Sequence, residues 1–271
     1  MRKSCDKSQH SKNRQSNLFI TISMRLLTHL RDGLTALVYP AQCRVCGAMI
    51  NRYDDGVACT DCWTDAGITP LFDGPLCIQC GLPLPGRSAG NQALQCGLCG
   101  ALPFTARACG AYAGALEANI GFLKSQPHLC RRLRHLIAQT FAEQRAALAA
   151  DVVVPVPLHP LRQRERGFNQ AELIARLIAR EGRLPLDVHL LIRTNPTERH
   201  RAGFDAKDRA RSVAKAFRVA HPRLVSNLSI LLVDDVFTTG STLSSAAQTL
   251  LDAGAQRISV LTIARVEKTT R

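Results

Sequence analysis

The segment Ile230-Leu-Leu-Val-Asp-Asp-Val-Phe-Thr-Thr-Gly-Ser-Thr242 constrains the fold of this chain more than any other. A continuous apolar strand, Ser229–Val233, delivers Asp234 and Asp235 at its carboxyl end, the edge at which open parallel sheets bind ligands. Thr238, Thr239, Gly240, Ser241 and Thr242 then turn into a helix expected over Ser241–Ala253. Backbone amides and hydroxyls of that loop, together with the helix amino terminus, form a cradle for a phosphate dianion. Gly240 allows the backbone to approach closely. Two carboxylates repel a phosphate unless they hold something neutral or cationic, and ribose hydroxyls and Mg²⁺ meet that condition. The plainer alternative is an Asp-rich turn before a Ser/Thr-capped helix, but strand, acid pair and loop occurring together favour a ligand site. There is no G-x-x-x-x-G-K-[ST] loop, and no G-x-G-x-x-G follows a strand, so neither a P-loop ATPase nor a dinucleotide site is supported.

The surrounding pattern alternates strand and helix. Val152–Val156 reads as a short buried strand. Asn169 with Glu172 three residues on marks a helix start, Leu173, Ile174, Leu177 and Ile178 form its apolar stripe, and Gly182 ends it. Arg257–Ile263 is a further strand. Upstream, Leu116, Ile120 and Leu123 line one helical face, and Leu129, Leu133, Leu136, Ile137 and Phe141 line a second, with a break near Gln126-Pro127. Continuous apolar strands joined through helices predict an α/β domain with a parallel sheet over 106–271.

Residues 37–105 are built differently. Eight of the 11 cysteines fall there in four C-x-x-C pairs: Cys43/Cys46, Cys59/Cys62, Cys77/Cys80 and Cys96/Cys99. Twelve residues separate the first two pairs and fifteen the last two, which suits two tetrathiolate zinc sites. Gly47, Gly81 and Gly100 each follow a second cysteine, as knuckles require. A closed four-sulfur site leaves no position for water, so two structural Zn²⁺ ions are expected rather than a catalytic one. An iron–sulfur cluster is the chemical alternative. Sequential pairing is the simpler assignment, and interleaved pairing meets the same spacing. A segment so rich in Cys, Gly and Pro buries little core and depends on metal to fold. Cys109 and Cys130 read as small, partly buried thiols, and Cys5 is left over.

Residues 1–36 are expected to form a disordered or helical extension, with Met24 an alternative start. No apolar run approaches the roughly 20 residues that span a bilayer, and no signal-peptide pattern is present, so a cytoplasmic location is expected. The net charge of +14 is uneven: +5 over 1–36, −2 over 37–105 and +11 over 106–271. The excess sits where phosphates are to be handled, although a solvated basic face kept for solubility is the plain alternative.

The acid pair and its loop resemble the phosphoribosyl-diphosphate signature of type I phosphoribosyltransferases. A second segment, Val153-Val-Pro-Val-Pro-Leu-His-Pro-Leu-Arg-Gln-Arg-Glu-Arg-Gly-Phe-Asn-Gln170, is similar to the hallmark of the competence protein F (ComF) family. The four cysteine pairs, Leu123-Lys124 and the closing Leu-Thr-Ile-Ala-Arg265 match in order, from about Leu34 to Arg265. The resemblance implies a double zinc ribbon joined to a type I phosphoribosyltransferase-like domain, with a role in natural DNA uptake. It places Lys124, Arg162, Arg164 and Arg166 at the diphosphate, where guanidinium groups grip oxygens in pairs, and Asn169 and Gln170 as loop-orienting or capping residues. The chain departs from the family pattern at Thr197–Arg201, Arg209–Ser212 and Lys215–Phe217, where His200 or Arg201 stands near an expected Gln and Ser212 replaces a usual Asn. This puts transfer in doubt more than binding.

Two functions fit. One is an enzyme moving 5-phosphoribose from phosphoribosyl diphosphate to an acceptor, with catalytic residues not identified. The other is a non-enzymatic module whose binding to single-stranded DNA or a DNA-uptake partner is regulated by that ligand. The aromatic content of 5% argues against a dedicated stacking groove for single strands.

Overall fold

The computed structural model describes residues 41–50, 56–64, 75–84, 94–97, 99–100, 102–194 and 216–266. The extension expected over 1–36, Met24 and the divergent stretch Thr197–Lys215 lie outside the described residues.

Four parallel strands form the central sheet: β1 (Thr105–Ala108), β2 (Val152–Pro155), β5 (Ser229–Phe237) and β6 (Arg257–Arg265), in the order β1-β6-β5-β2. A separate antiparallel pair, β3 (Leu191–Arg193) and β4 (Phe217–Val219), joins Arg193 to Phe217 in register. The α-helices among the described residues are α1 (Thr60–Thr64), α2 (Gly114–Leu123), α3 (Arg131–Glu143), α4 (Pro160–Arg166), α5 (Gln170–Gly182) and α6 (Ser241–Asp252).

Strand alternation divides the core in two. Val153, Leu231, Val233, Leu261 and Ile263 face α2, α3 and α5. Val152, Val154, Ile230, Leu232 and Val260 face α6, β3 and β4. Each cysteine quartet docks on a different face. The first joins the helical side through Ile50, Ala58 and Trp63, and the second joins the other side beside Phe104, Leu82 and Leu102.

The strands run further than the apolar runs alone suggest. β5 continues through Phe237, because β6 supplies a parallel partner as far as Phe237↔Arg265. The acid pair therefore lies within a strand instead of following one. The segment after β2, which carries no apolar helical stripe, forms α4: Pro160 opens it, the His159 side chain accepts from the Leu161 N–H, and Gly167 at φ 76° closes it in the left-handed conformation. Cys109 and Cys130 are fully buried, at 0% and 2% exposure.

Candidate functional site

Because Asp234 and Asp235 are consecutive in a strand, their side chains leave opposite faces of the sheet. Asp235, 8% exposed, shares a face with Val233 and meets α2 and α5. Its Oδ2 accepts from Gln170 Nε2 at 3.2 Å and lies 3.5 Å from Lys124 Nζ. Gln170 Oε1 in turn accepts from Arg166 Nη1 at 3.0 Å. Lys124, Arg166, Gln170 and Asp235, separated by up to 111 residues in sequence, thus form one chain of contacts. Asn169 fixes its geometry: Oδ1 accepts from the Ala171 N–H and caps α5, while Nδ2 donates to the Val156 carbonyl, tying α5 to the end of β2.

Asp234 is poised differently. Burial at the sheet edge and the neighbouring Asp235 charge push its carboxyl up to about 8, against the pull of the Asp235 N–H and the Arg193 guanidinium. Arg193 lies over the Phe217 ring at 5.3 Å and reaches this site from the β3–β4 pair. No sequence pattern pointed to Arg193, since only tertiary pairing of two three-residue strands brings it to Asp234.

The loop from Thr238 leads directly into α6. Thr238, Thr239 and Ser241 are exposed, and Thr239 Oγ1 lies 3.1 Å from Ser241 Oγ. Gly240 has φ 78°, a conformation that side chains disfavour, and a Cβ there would stand 2.5 Å from the Phe237 ring. Glycine is therefore required both by its positive φ and by the ring that lies beneath the loop. Arg162 and Arg164 are exposed on α4. Two residues apart on a helix, they point about 200° from each other, so Arg162 shares a face with Arg166 and Arg164 does not.

The cysteines assemble sequentially. Cys43, Cys46, Cys59 and Cys62 form one quartet and Cys77, Cys80, Cys96 and Cys99 the other, with each set of sulfurs within 4.8 Å. Individual Sγ···Sγ separations are 3.7 Å for Cys43–Cys62 and Cys46–Cys59, 3.8 Å for Cys77–Cys99 and 3.4 Å for Cys80–Cys96. A tetrahedral zinc with bonds of about 2.3 Å requires roughly 3.8 Å between sulfurs, so the donor sets fit Zn²⁺ and exclude disulfides. Burial raises the Cys43 thiol, but the N–H groups of Cys46, Cys59 and Val45 outweigh it and bring it down to about 6. Cys77 follows the same pattern, with burial outweighed by the N–H groups of Cys80, Cys96 and Gln79, again to about 6. Cys62 is pushed up by its contact with Cys46 and by burial, and Cys99 by burial and its contact with Cys96. Each quartet thus starts with a thiolate, and a cation is needed to draw off the remaining protons.

The second quartet carries features that its spacing did not foretell. Arg107, 8% exposed, donates to the Ile78 and Ala106 carbonyls beside it. Arg265 donates through Nη1 to the Cys80 carbonyl and lies over the Phe237 ring at 4.8 Å. Its position at the end of a strand gave no signal of either contact.

Residues 34–102 match the double zinc ribbon domain family. The chain is 32% identical over 200 residues to the DNA utilization protein YhgH of Salmonella typhi, covering 70% of this chain and 84% of that protein. It is 33% identical over 135 residues to competence protein F of Haemophilus influenzae, covering 49% and 58%. Among solved structures, it is similar to a purine phosphoribosyltransferase from Pyrococcus horikoshii at 18% identity and TM-score 0.29, covering 51% of this chain and 82% of that one. It is also similar to the glutamine phosphoribosylpyrophosphate amidotransferase of B. subtilis at 22% identity and TM-score 0.33, covering 48% and 25%. Two cysteine quartets, a four-stranded parallel sheet and relatives of this coverage lead to one assignment: the chain belongs to the competence protein F family, with a double zinc ribbon preceding an α/β domain built on a parallel sheet.

Proposed function

We propose that the chain binds phosphoribosyl diphosphate with Mg²⁺ at the carboxyl edge of its sheet, as a cytoplasmic protein serving DNA uptake. The observation that carries this reading is the convergence of Lys124, Arg166, Gln170 and Asp235 beside a hydroxyl-rich loop at the amino terminus of α6. Thr238, Thr239, Gly240, Ser241 and Thr242 would take the 5-phosphate. Arg166, with Arg162 on the same face of α4, would take the diphosphate, and Lys124 would approach it from α2. Arg164 is assigned a weaker, outer contact because of its direction.

The two acids divide their work. Asp235 already has Gln170 and Lys124 as partners, so it acts by positioning them. Asp234, whose carboxyl is held high by burial and by Asp235, gains most from a cation or from hydrogen-bonding ribose hydroxyls. Asp234→Asn should then remove most of the Mg²⁺ dependence of binding. Asp235→Asn should weaken binding with or without Mg²⁺. Arg166→Ala should weaken phosphoribosyl diphosphate far more than ribose 5-phosphate, which lacks the diphosphate. Equal losses for both ligands in titration calorimetry would remove Arg166 from the diphosphate site.

Whether 5-phosphoribose is then transferred is a separate matter. In that case Arg166, Lys124 and Mg²⁺ would stabilise the charge developing on the departing diphosphate. A second reading, single-strand binding regulated by the ligand, is favoured by the basic run at the start of α3, where Arg131, Arg134 and His135 are exposed. Affinity for single-stranded DNA should then fall steeply between low and physiological salt, whereas a flat response would return the charge to a solubility role. Among the described residues no helix is long and apolar enough to cross a membrane.

A further inference from the structure

The second cysteine quartet stands directly against the loop read above as the phosphate cradle. Leu82, Cys99 and Leu102 from the ribbon side, with Phe237, Thr238 and Thr239 from the strand and loop, enclose a hollow of about 50 Å³. Arg265 closes this hollow and touches both halves. Its Nη1 donates to the Cys80 carbonyl in the knuckle, and its guanidinium plane covers the Phe237 ring at 4.8 Å. Phe237, 4% exposed, is held in turn by an edge contact with Phe104 at 6.2 Å and by the Val266 N–H donating to its carbonyl at 2.9 Å. The ring supports Gly240, whose absent Cβ would stand 2.5 Å from it. An unbroken series of contacts, Cys80 to Arg265 to Phe237 to Gly240, therefore links a zinc ligand to the cradle in four residues.

Charge gives the series a direction. Four thiolates around Zn²⁺ carry a net charge of −2, and among the described residues Arg107 and Arg265 are cations that act on this quartet. Arg265 Nε is buried without a hydrogen-bond partner, so the Cys80 carbonyl, the thiolate field and the Phe237 ring hold this side chain in place. Loss of the ion frees the carbonyl and reduces the negative charge as thiolates take up protons, which weakens the hold on the guanidinium over the ring. Among the described residues the first quartet has no such route. It rests on α2 and α3 across the sheet, where Asn119 accepts from the Val57 N–H and Arg44 covers Phe122.

We propose that Arg265 is a positioning residue that couples metal occupancy of the Cys77/Cys80/Cys96/Cys99 site to phosphate binding at Thr238–Thr242, an inference that rests on the cradle reading. Coupling between two sites is reciprocal, so ribose 5-phosphate must hold zinc in the second site as strongly as that zinc favours ribose 5-phosphate.

Zinc retention against a competing chelator tests this on the whole protein, with and without ribose 5-phosphate. One of the two ions should be held about tenfold more tightly when the sugar phosphate is bound, an ordinary size for coupling between sites. In Cys46→Ser, which disables only the first site, the protection should persist. In Cys99→Ser, which leaves only the first ion, it should vanish. Arg265→Met should abolish protection and Arg265→Lys, which keeps the charge but loses the planar fork, should restore part of it. Should any variant fold poorly, the wild-type measurement decides alone: protection of neither ion, or of both equally, overturns the coupling. If calorimetry shows no ribose 5-phosphate binding to wild type, the cradle reading itself has failed. If the ligand binds and zinc retention is unchanged, only the coupling has.

Discussion

The two cysteine quartets are built from the same local pattern and are placed in different surroundings. In each, a C-x-x-C-Gly knuckle is closed by a glycine N–H donating to the first cysteine's carbonyl, at 2.9 Å in both Gly47–Cys43 and Gly81–Cys77. Short antiparallel bridges flank both, Gln42↔Met49 and Leu76↔Pro83. Beyond the knuckle the likeness ends. The first quartet leaves Cys46 exposed and fastens a short helix and Trp63 to the helical face. The second buries Cys77 and Cys80, has Arg107 and Arg265 beside it, and adjoins Thr238 and Thr239. A knuckle fixes metal geometry; what the site does for the protein depends on the face on which it docks.

The largest contrast should come from removing a ligand sulfur. Cys77→Ser and Cys43→Ser should each reduce zinc from two ions per chain to one, with loss of the local fold, because metal supplies ~10–16 kcal/mol in small ribbons. Only Cys77→Ser should also weaken ribose 5-phosphate binding, by about the tenfold that reciprocal coupling requires. Metal analysis with calorimetry checks both, and equal effects on the sugar phosphate would erase the distinction between the sites.

A smaller contrast comes from the knuckle glycines. Gly47 and Gly81 both have positive φ, so Ala at either position is strained by about 1–2 kcal/mol. A Cβ at Gly47 meets nothing within 4 Å, whereas one at Gly81 would lie 2.7 Å from the Ala106 carbonyl oxygen in β1. Gly81→Ala should therefore lower the denaturant midpoint clearly more than Gly47→Ala. The result would show that the second knuckle is wedged against the sheet and the first is not.

A third effect, on stability alone, concerns pH at the sheet edge. Burial and the Asp235 charge push the Asp234 carboxyl up to about 8, well above the ordinary carboxylate range. The folded state thus holds a proton that the unfolded state releases, so the unliganded protein loses stability as pH rises from about 4 to about 8, by at most about 1.4 kcal/mol per pH unit. Asp234→Asn should flatten that decline, and denaturant midpoints at pH 5 and pH 8 measure it. An identical slope in both proteins would mean that Asp234 is ionised in the folded state.

How much of this was legible follows from which interactions are local. The sequence carried the cysteine quartets, the strand–acid–loop–helix segment and the Asn169 cap, because each is written within about thirty residues. It did not carry β1, where Thr105-Ala-Arg-Ala108 lacks the β-branched run of a buried strand and pairs only because β6 lies alongside. Helix α4 was missed because Pro160 and the charged residues after it offer no apolar stripe, and no residue of that helix is buried. Arg193, Arg107 and Arg265 were invisible as site residues, since each acquires its role from a partner at least 25 residues away, such as Cys80 for Arg265.

Titration calorimetry of wild-type protein with phosphoribosyl diphosphate and Mg²⁺ tests the central claim most directly. The predicted result is saturable binding of one ligand per chain, tighter than that of ribose 5-phosphate and weakened when Mg²⁺ is withheld. Absence of binding by either ligand at millimolar concentration in the presence of Mg²⁺ would contradict the assignment of Asp234, Asp235 and Thr238–Thr242 as a phosphoribosyl-diphosphate site.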